Sequence, residues 1–101
     1  MMISQGEAHK YAIKQGFWND YSVNQIPIKL CLIHSEISEA MEADRTIYDS
    51  IKRKEAIGEE LADVILRVLD LSEFLRIDIE KLVETRHNYN KTRSYKHDKR
   101  Y

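Results

Sequence analysis

Residues 32–40 read Leu32-Ile33-His34-Ser35-Glu36-Ile37-Ser38-Glu39-Ala40, and residues 58–64 read Gly58-Glu59-Glu60-Leu61-Ala62-Asp63-Val64. Each stretch carries a carboxylate pair spaced i, i+3 within an apolar-rich segment: Glu36 with Glu39, and Glu60 with Asp63. On a helix such a pair shares one side, about one turn apart. If two such helices pack side by side, all of these carboxylates converge, and they repel one another unless a cation sits among them. Mg²⁺, a hard ion that takes oxygen ligands, is the natural occupant.

Outward from the first pair, Ile26, Leu30, Ile33, Ile37, Ala40 and Met41 recur at helical spacing and predict a helix running to about Arg45. Pro27 suits its first turn, where a missing N–H costs nothing. At about 100° per residue, Leu32 and Ala43 fall between Glu36 and Glu39 in angle. The acidic pair therefore lies on a second, partly apolar face, which is expected to meet another helix. Outward from the second pair, Ile57, Leu61, Val64, Val68, Leu71 and Leu75 predict a helix from about Glu55 to Phe74. Glu60, Asp63 and Arg67 flank its stripe, with Asp63 and Arg67 as an i,i+4 pair. Between the two helices, Thr46 to Lys54 breaks the apolar pattern and reads as a connection. Gly58 is expected to permit close approach of a neighbouring backbone.

The ends of the chain complete the pattern. Ser4 with Glu7 has capping-box spacing, and Gly16 is a stop signal, so a first helix is predicted over Ser4 to Gln15. Phe17 and Trp18 follow it as a core plug or as the wall of a pocket. Asp78 is a good N-cap for a last helix reaching about Asn90. No alternating strand pattern occurs. The expected fold class is all-α and four-helix-bundle-like, in a single domain over 1–101 with a basic tail at 91–101.

Composition narrows the function classes. Of the 101 residues 43% are hydrophobic and 33% charged, with formal net charge −1, so the overall charge selects neither a nucleic-acid nor a membrane partner. Cys31 is the only cysteine, which excludes an intrachain disulfide. Its apolar neighbours predict a buried thiol, and a cytoplasmic location is consistent with it. No signal-peptide pattern and no membrane-length apolar run is seen.

The paired acidic signature resembles that of the MazG-like, all-α nucleoside triphosphate pyrophosphohydrolases. Leu32 to Ala40 is similar to the family's first acidic helix and Gly58 to Val64 to its second. Gly16-Phe17-Trp18 and the ending Tyr89-Asn90-Lys91-Thr92-Arg93 resemble short single-domain members, including phage-type ones. The resemblance implies Mg²⁺-dependent (or Mn²⁺-dependent) hydrolysis of a nucleoside triphosphate to NMP or dNMP plus pyrophosphate. It assigns Glu36, Glu39, Glu60 and Asp63 to metal binding, with Glu36 and Glu39 as catalytic carboxylates. It carries Asn90, Lys91 and Arg93 into nucleotide binding, and implies a homodimer or homotetramer. Trp18 is a further candidate, to stack on a base, although a core role outweighs it. This chain has Ser35 where many members carry an extra Glu, so the general base stays unassigned. The alternative function is a non-catalytic helical interaction module whose acidic face meets a basic partner. A nucleic-acid role for the basic tail ranks third.

Overall fold

The computed structural model describes residues 2–93, which form α1 (Gln5–Lys14), α2 (Gln25–Thr46), α3 (Ser50–Phe74) and α4 (Ile79–Lys91). No strand occurs among the described residues, as the all-α expectation requires. The basic tail from residue 94 onward lies outside them. No helix of the described residues is long and apolar enough to cross a membrane.

Local chemistry sets most helix ends. Ser4 Oγ accepts the Glu7 N–H at 3.1 Å, and the Glu7 carboxylate bonds back to the Ser4 N–H at 3.5 Å, closing the capping box. At the other end of α1, Phe17 N–H donates to Ala12 O and Gly16 N–H to Ile13 O, with Gly16 at φ 82°. This is a Schellman stop, and glycine supplies its left-handed residue without strain. The end of α3 repeats the arrangement with Ile77 N–H on Ser72 O and Arg76 N–H on Glu73 O. Here the left-handed residue is Arg76, at φ 57°. A side chain in that region costs about 1–2 kcal/mol. Arg76→Gly is therefore expected to raise stability by about 1 kcal/mol in urea unfolding; an unchanged midpoint would show that Arg76 is not strained.

Helix α3 begins at Ser50, not near Glu55, so the connection shrinks to Ile47–Asp49. The Asp49 side chain accepts the Lys52 N–H at 2.8 Å, and Arg53 Nη1 donates to Ile47 O and Tyr48 O. Lys, Arg and Glu are good helix formers without an apolar face, which is why hydrophobic periodicity misses this turn. Gly58 opens onto space, with nothing of the described residues within 4 Å of a Cβ built there, so the expected close approach is absent among them.

Helix α3 packs on both α1 and α2, while α4 packs extensively on no other helix. Gln5 ties the start of α1 to the α3–α4 junction. Its Nε2 donates to Glu73 Oε1 and Ile77 O, and its Oε1 accepts the Ile79 N–H, one of the free donors at the start of α4. The core is small: Ala12, Trp18 and Leu71, with Ile33 and Phe74 packed on them.

The faces of α2 are the main departure from expectation. Ile33 and Ala40 turn inward, but Leu30, Ile37 and Met41 of the expected packing stripe are 49%, 48% and 59% exposed. Cys31 is exposed on the same helix rather than buried. The face that meets α3 is the one carrying Glu36, Leu32 and Ala43. The single chain therefore leaves much apolar surface uncovered.

Candidate functional site

The two acidic signatures meet. Carboxylate oxygens of Glu36 on α2 and of Glu60 and Asp63 on α3 lie within 4.8 Å of one another. Opposite oxygens of a Mg²⁺ octahedron stand about 4.2 Å apart at ligand distances near 2.1 Å. The trio spans a space of the scale that such an ion's ligands occupy. Glu39, one turn along α2, is exposed and stands outside this trio.

Arg67 lies next to the trio. Its Nε donates to Glu36 Oε1 at 3.0 Å, with the Glu36 side chain 12% exposed and that of Arg67 37%. Arg67 pairs across the helix interface, therefore, and not with Asp63 along its own helix. Burial alone would raise the Glu36 pKa, but hydrogen bonding from Glu60, Arg67 and Glu39 outweighs it and holds the group below the usual carboxylate value. Glu60 moves the other way. Hydrogen bonding of its protonated form to Glu36 and Glu39, then burial and the neighbouring negative charges, push its pKa up to about 7. Its Oε2 is buried and meets no hydrogen-bond donor of the protein. An orphaned carboxylate oxygen among carboxylates fits a proton or a cation, which is what a divalent ion site requires.

The sign of the resulting pH dependence follows by linkage. Glu60 binds its proton more tightly when folded, so its contribution is fully present below the ordinary value of 4.5 and is lost as pH rises through about 7. Glu36, with a lowered value, contributes in the opposite sense, and its share is lost only in acid. In the metal-free protein, urea-unfolding stability is expected to fall from roughly pH 5 to pH 8, and Glu60→Gln should flatten that fall. Parallel pH profiles for the two proteins would contradict the assignment.

Two of the trio, Glu36 and Asp63, and their neighbour Arg67 line a cavity of about 510 Å³. Glu36, Asp63, Arg67 and Asp70 form its polar side, and Tyr11 and Phe17 from the α1 end form an aromatic side. The Phe17-Trp18 pair thus divides. Phe17 is 57% exposed and lines the cavity, whereas Trp18 is 6% exposed in the core. The Trp18 ring stacks on Phe74 with centroids 4.5 Å apart. As a base-stacking residue Trp18 is therefore displaced by its neighbour, because its indole N–H is already committed inside.

That commitment is to Asp70. Trp18 Nε1 donates to Asp70 Oδ1 and Oδ2 at 2.9 and 3.1 Å, and His9 Nδ1 lies 2.7 Å from Oδ1. His9 Nε2 lies 2.8 Å from the Tyr21 hydroxyl. With His9 carrying its proton on Nδ1, Tyr21 donates to Nε2 and every buried atom is satisfied. Lys29 completes the cluster, donating to Phe17 O at 2.6 Å with its Nζ 4.4 Å from the Trp18 ring centre. Burial lowers its pKa, and nearby Asp70 partly offsets this.

Asn90, Lys91 and Arg93 are not brought to this cavity within one chain. Asn90 lines a separate shallow depression with Leu82, Arg86 and His87, and the Arg93 guanidinium stands 5.4 Å from the Tyr89 ring centre. His34 is exposed. Of the functional side chains that periodicity overlooked, Asp70 had a signal: it continues the flank Glu60, Asp63, Arg67 by one more turn. His9 and Gln5 had none, because their carboxylate partners, Asp70 and Glu73, lie 61 or more residues away.

Comparison with protein-family models, curated proteins and solved structures finds no match to this chain.

Proposed function

We propose that this chain is a Mg²⁺-dependent nucleoside triphosphate pyrophosphohydrolase. The observation that carries the reading is the convergence of Glu36, Glu60 and Asp63, with a buried and unpartnered Glu60 oxygen, at the edge of a cavity with an aromatic wall. Glu36, Glu60 and Asp63 would hold the ion, which when bound would neutralise the polyphosphate and polarise it for attack by water. Glu39, exposed beside the trio, is placed to accept the proton of that water as it attacks the α-phosphorus. The α–β phosphoanhydride bond breaks, and pyrophosphate leaves. Tyr11 and Phe17 offer the faces against which a base would stack. The motif resemblance supplies the substrate class, and the cavity is of a size that a small ligand occupies.

The deciding experiment incubates the purified protein with Mg²⁺ and a panel of NTPs and dNTPs, and measures pyrophosphate. Release from at least one nucleotide is expected; release from none sinks the reading and leaves the interaction module, whose acidic face needs no ion.

The reading includes a homo-oligomer in which a second copy covers the outer face of α2. Obligate interfaces are more hydrophobic than the rest of a protein surface, and this face of α2 is apolar and exposed. Leu30, Ile37 and Met41 would supply the apolar strip for such a contact. Light scattering at micromolar concentration is expected to report at least twice the 12.0 kDa chain mass; a single-chain mass would contradict the assembly.

A further inference from the structure

Arg67 sits in the cavity wall beside the acidic trio, and its geometry leaves most of its donors unused. The guanidinium carries five N–H donors, and among the described residues only its Nε has a protein acceptor, Glu36 Oε1 at 3.0 Å. It does not neutralise the trio: Glu60 Oε2 stays buried without a donor despite the arginine nearby. With its side chain 37% exposed, the free edge of the guanidinium can face a ligand, while Glu36 at 12% is held within.

We propose that Arg67 is a polyphosphate-binding residue that trades its partner when the site fills. In the metal-free protein it holds Glu36 in its charged form and in register. Once a divalent cation takes Glu36, the guanidinium is released to a phosphate oxygen in the same cavity. The planar fork suits this exchange, since it matches carboxylate and phosphate equally well, in one or two parallel hydrogen bonds. Charge balance points the same way. A triphosphate carries more negative charge than one divalent ion neutralises, and Arg67 is the only cationic side chain lining this cavity among the described residues. The inference rests on the pyrophosphohydrolase reading of the site.

The exchange predicts opposite signs for two affinities, which a purely structural ion pair does not. Calorimetry would titrate Mn²⁺ alone, and then inorganic tripolyphosphate in the presence of Mn²⁺, into the unaltered protein, Arg67→Met and Arg67→Lys. Arg67→Met removes a cation that competes for Glu36, so Mn²⁺ should bind as tightly or a few-fold more tightly. Tripolyphosphate should bind roughly 10- to 100-fold more weakly, the equivalent of one or two charge-assisted hydrogen bonds. Arg67→Lys, which keeps the charge but not the fork, should give an intermediate tripolyphosphate affinity. Weaker Mn²⁺ binding by Arg67→Met with an unchanged tripolyphosphate affinity would overturn the role of Arg67 alone. Failure of the unaltered protein to bind Mn²⁺ would overturn the site reading, and Arg67 with it. Circular dichroism of each variant shows whether the helices are intact, and if Arg67→Met does not fold, the tripolyphosphate affinity of Arg67→Lys decides: equality with the unaltered protein overturns the proposal.

Discussion

Asp63→Asn is expected to lower pyrophosphate release at least about 10³-fold, the equivalent of some 4 kcal/mol of barrier, with the helical content and melting temperature unchanged. Asp63 is exposed and among the described residues no hydrogen bond reaches its carboxylate, so the substitution breaks no hydrogen bond among them. On the proposed reading a cation joins Asp63 to Glu36 and Glu60, whose carboxylate oxygens lie within 4.8 Å of its own. Asparagine keeps the shape and loses the charge, which makes the substitution a test of charge alone. Glu39→Gln should abolish turnover by another route. Glu39 lies outside the trio though its carboxylate interacts with Glu36 and Glu60, so the variant is expected to keep most of its divalent-ion affinity while losing the proton acceptor. Calorimetry with Mn²⁺ separates the two: Asp63→Asn loses binding, Glu39→Gln keeps most of it. Normal turnover in both variants would remove the acidic cluster from the chemistry.

The largest stability effect is expected at Asp70. Asp70→Ala strips the acceptor from two buried donors at once, Trp18 Nε1 and His9 Nδ1, and removes the negative charge that favours a protonated Lys29. Each unsatisfied buried donor costs about 1–3 kcal/mol, so a loss of about 3–5 kcal/mol is expected from the two together. On the cost of two unsatisfied donors alone, about 3 kcal/mol corresponds for a domain of this size to a fall in melting temperature of some 12–24 °C. The core formed by Ala12, Trp18 and Leu71 has little reserve against it. Asp70→Asn retains an acceptor oxygen and should lose appreciably less. Urea unfolding in the absence of metal and nucleotide measures both. A loss below about 1 kcal/mol for the alanine variant would mean that water replaces the carboxylate and that the network is not what anchors Trp18.

Asp70 also explains how the fold and the candidate site are joined. On α3, Glu60, Asp63, Arg67 and Asp70 form one continuous polar stripe, and its partners change along its length. At the Glu60 end the stripe faces Glu36 and is over-supplied with negative charge. At Arg67 it is bound to α2, and at Asp70 it is saturated by the donors of His9 and Trp18. The satisfied end holds the helices in place, and the unsatisfied end is where a ligand has something to gain. The same stripe sets Phe17 at the cavity. The Trp18 indole is drawn into the core by Asp70, and the Schellman turn at Gly16 directs Phe17 to the other side.

Features that depend on a few neighbouring residues were legible without coordinates. The Ser4–Glu7 capping box, the Gly16 stop, the Asp78 cap and the spacing of each carboxylate pair all rest on contacts within one turn of chain. A helical period fixes which side chains share a face, so the acidic face of α2, with Leu32 and Ala43, could be read as inward-facing from its composition. Periodicity ranks the faces of one helix by apolarity but carries no information about what another helix offers. Two faces of α2 were suitable, and α3 selected the one carrying Glu36 because Arg67 and the polar stripe could pair with it, leaving Leu30, Ile37 and Met41 outside. The partner of Arg67, the burial of Trp18 and the joining of His9 to Asp70 across 61 positions were decided in the same way. Each depends on which charges and donors become neighbours when distant segments pack, and burial makes those pairings compulsory. The sequence by itself thus determined the helices and the two acidic pairs, and the tertiary structure decided which carboxylates meet, which arginine attends them and which aromatic faces the cavity.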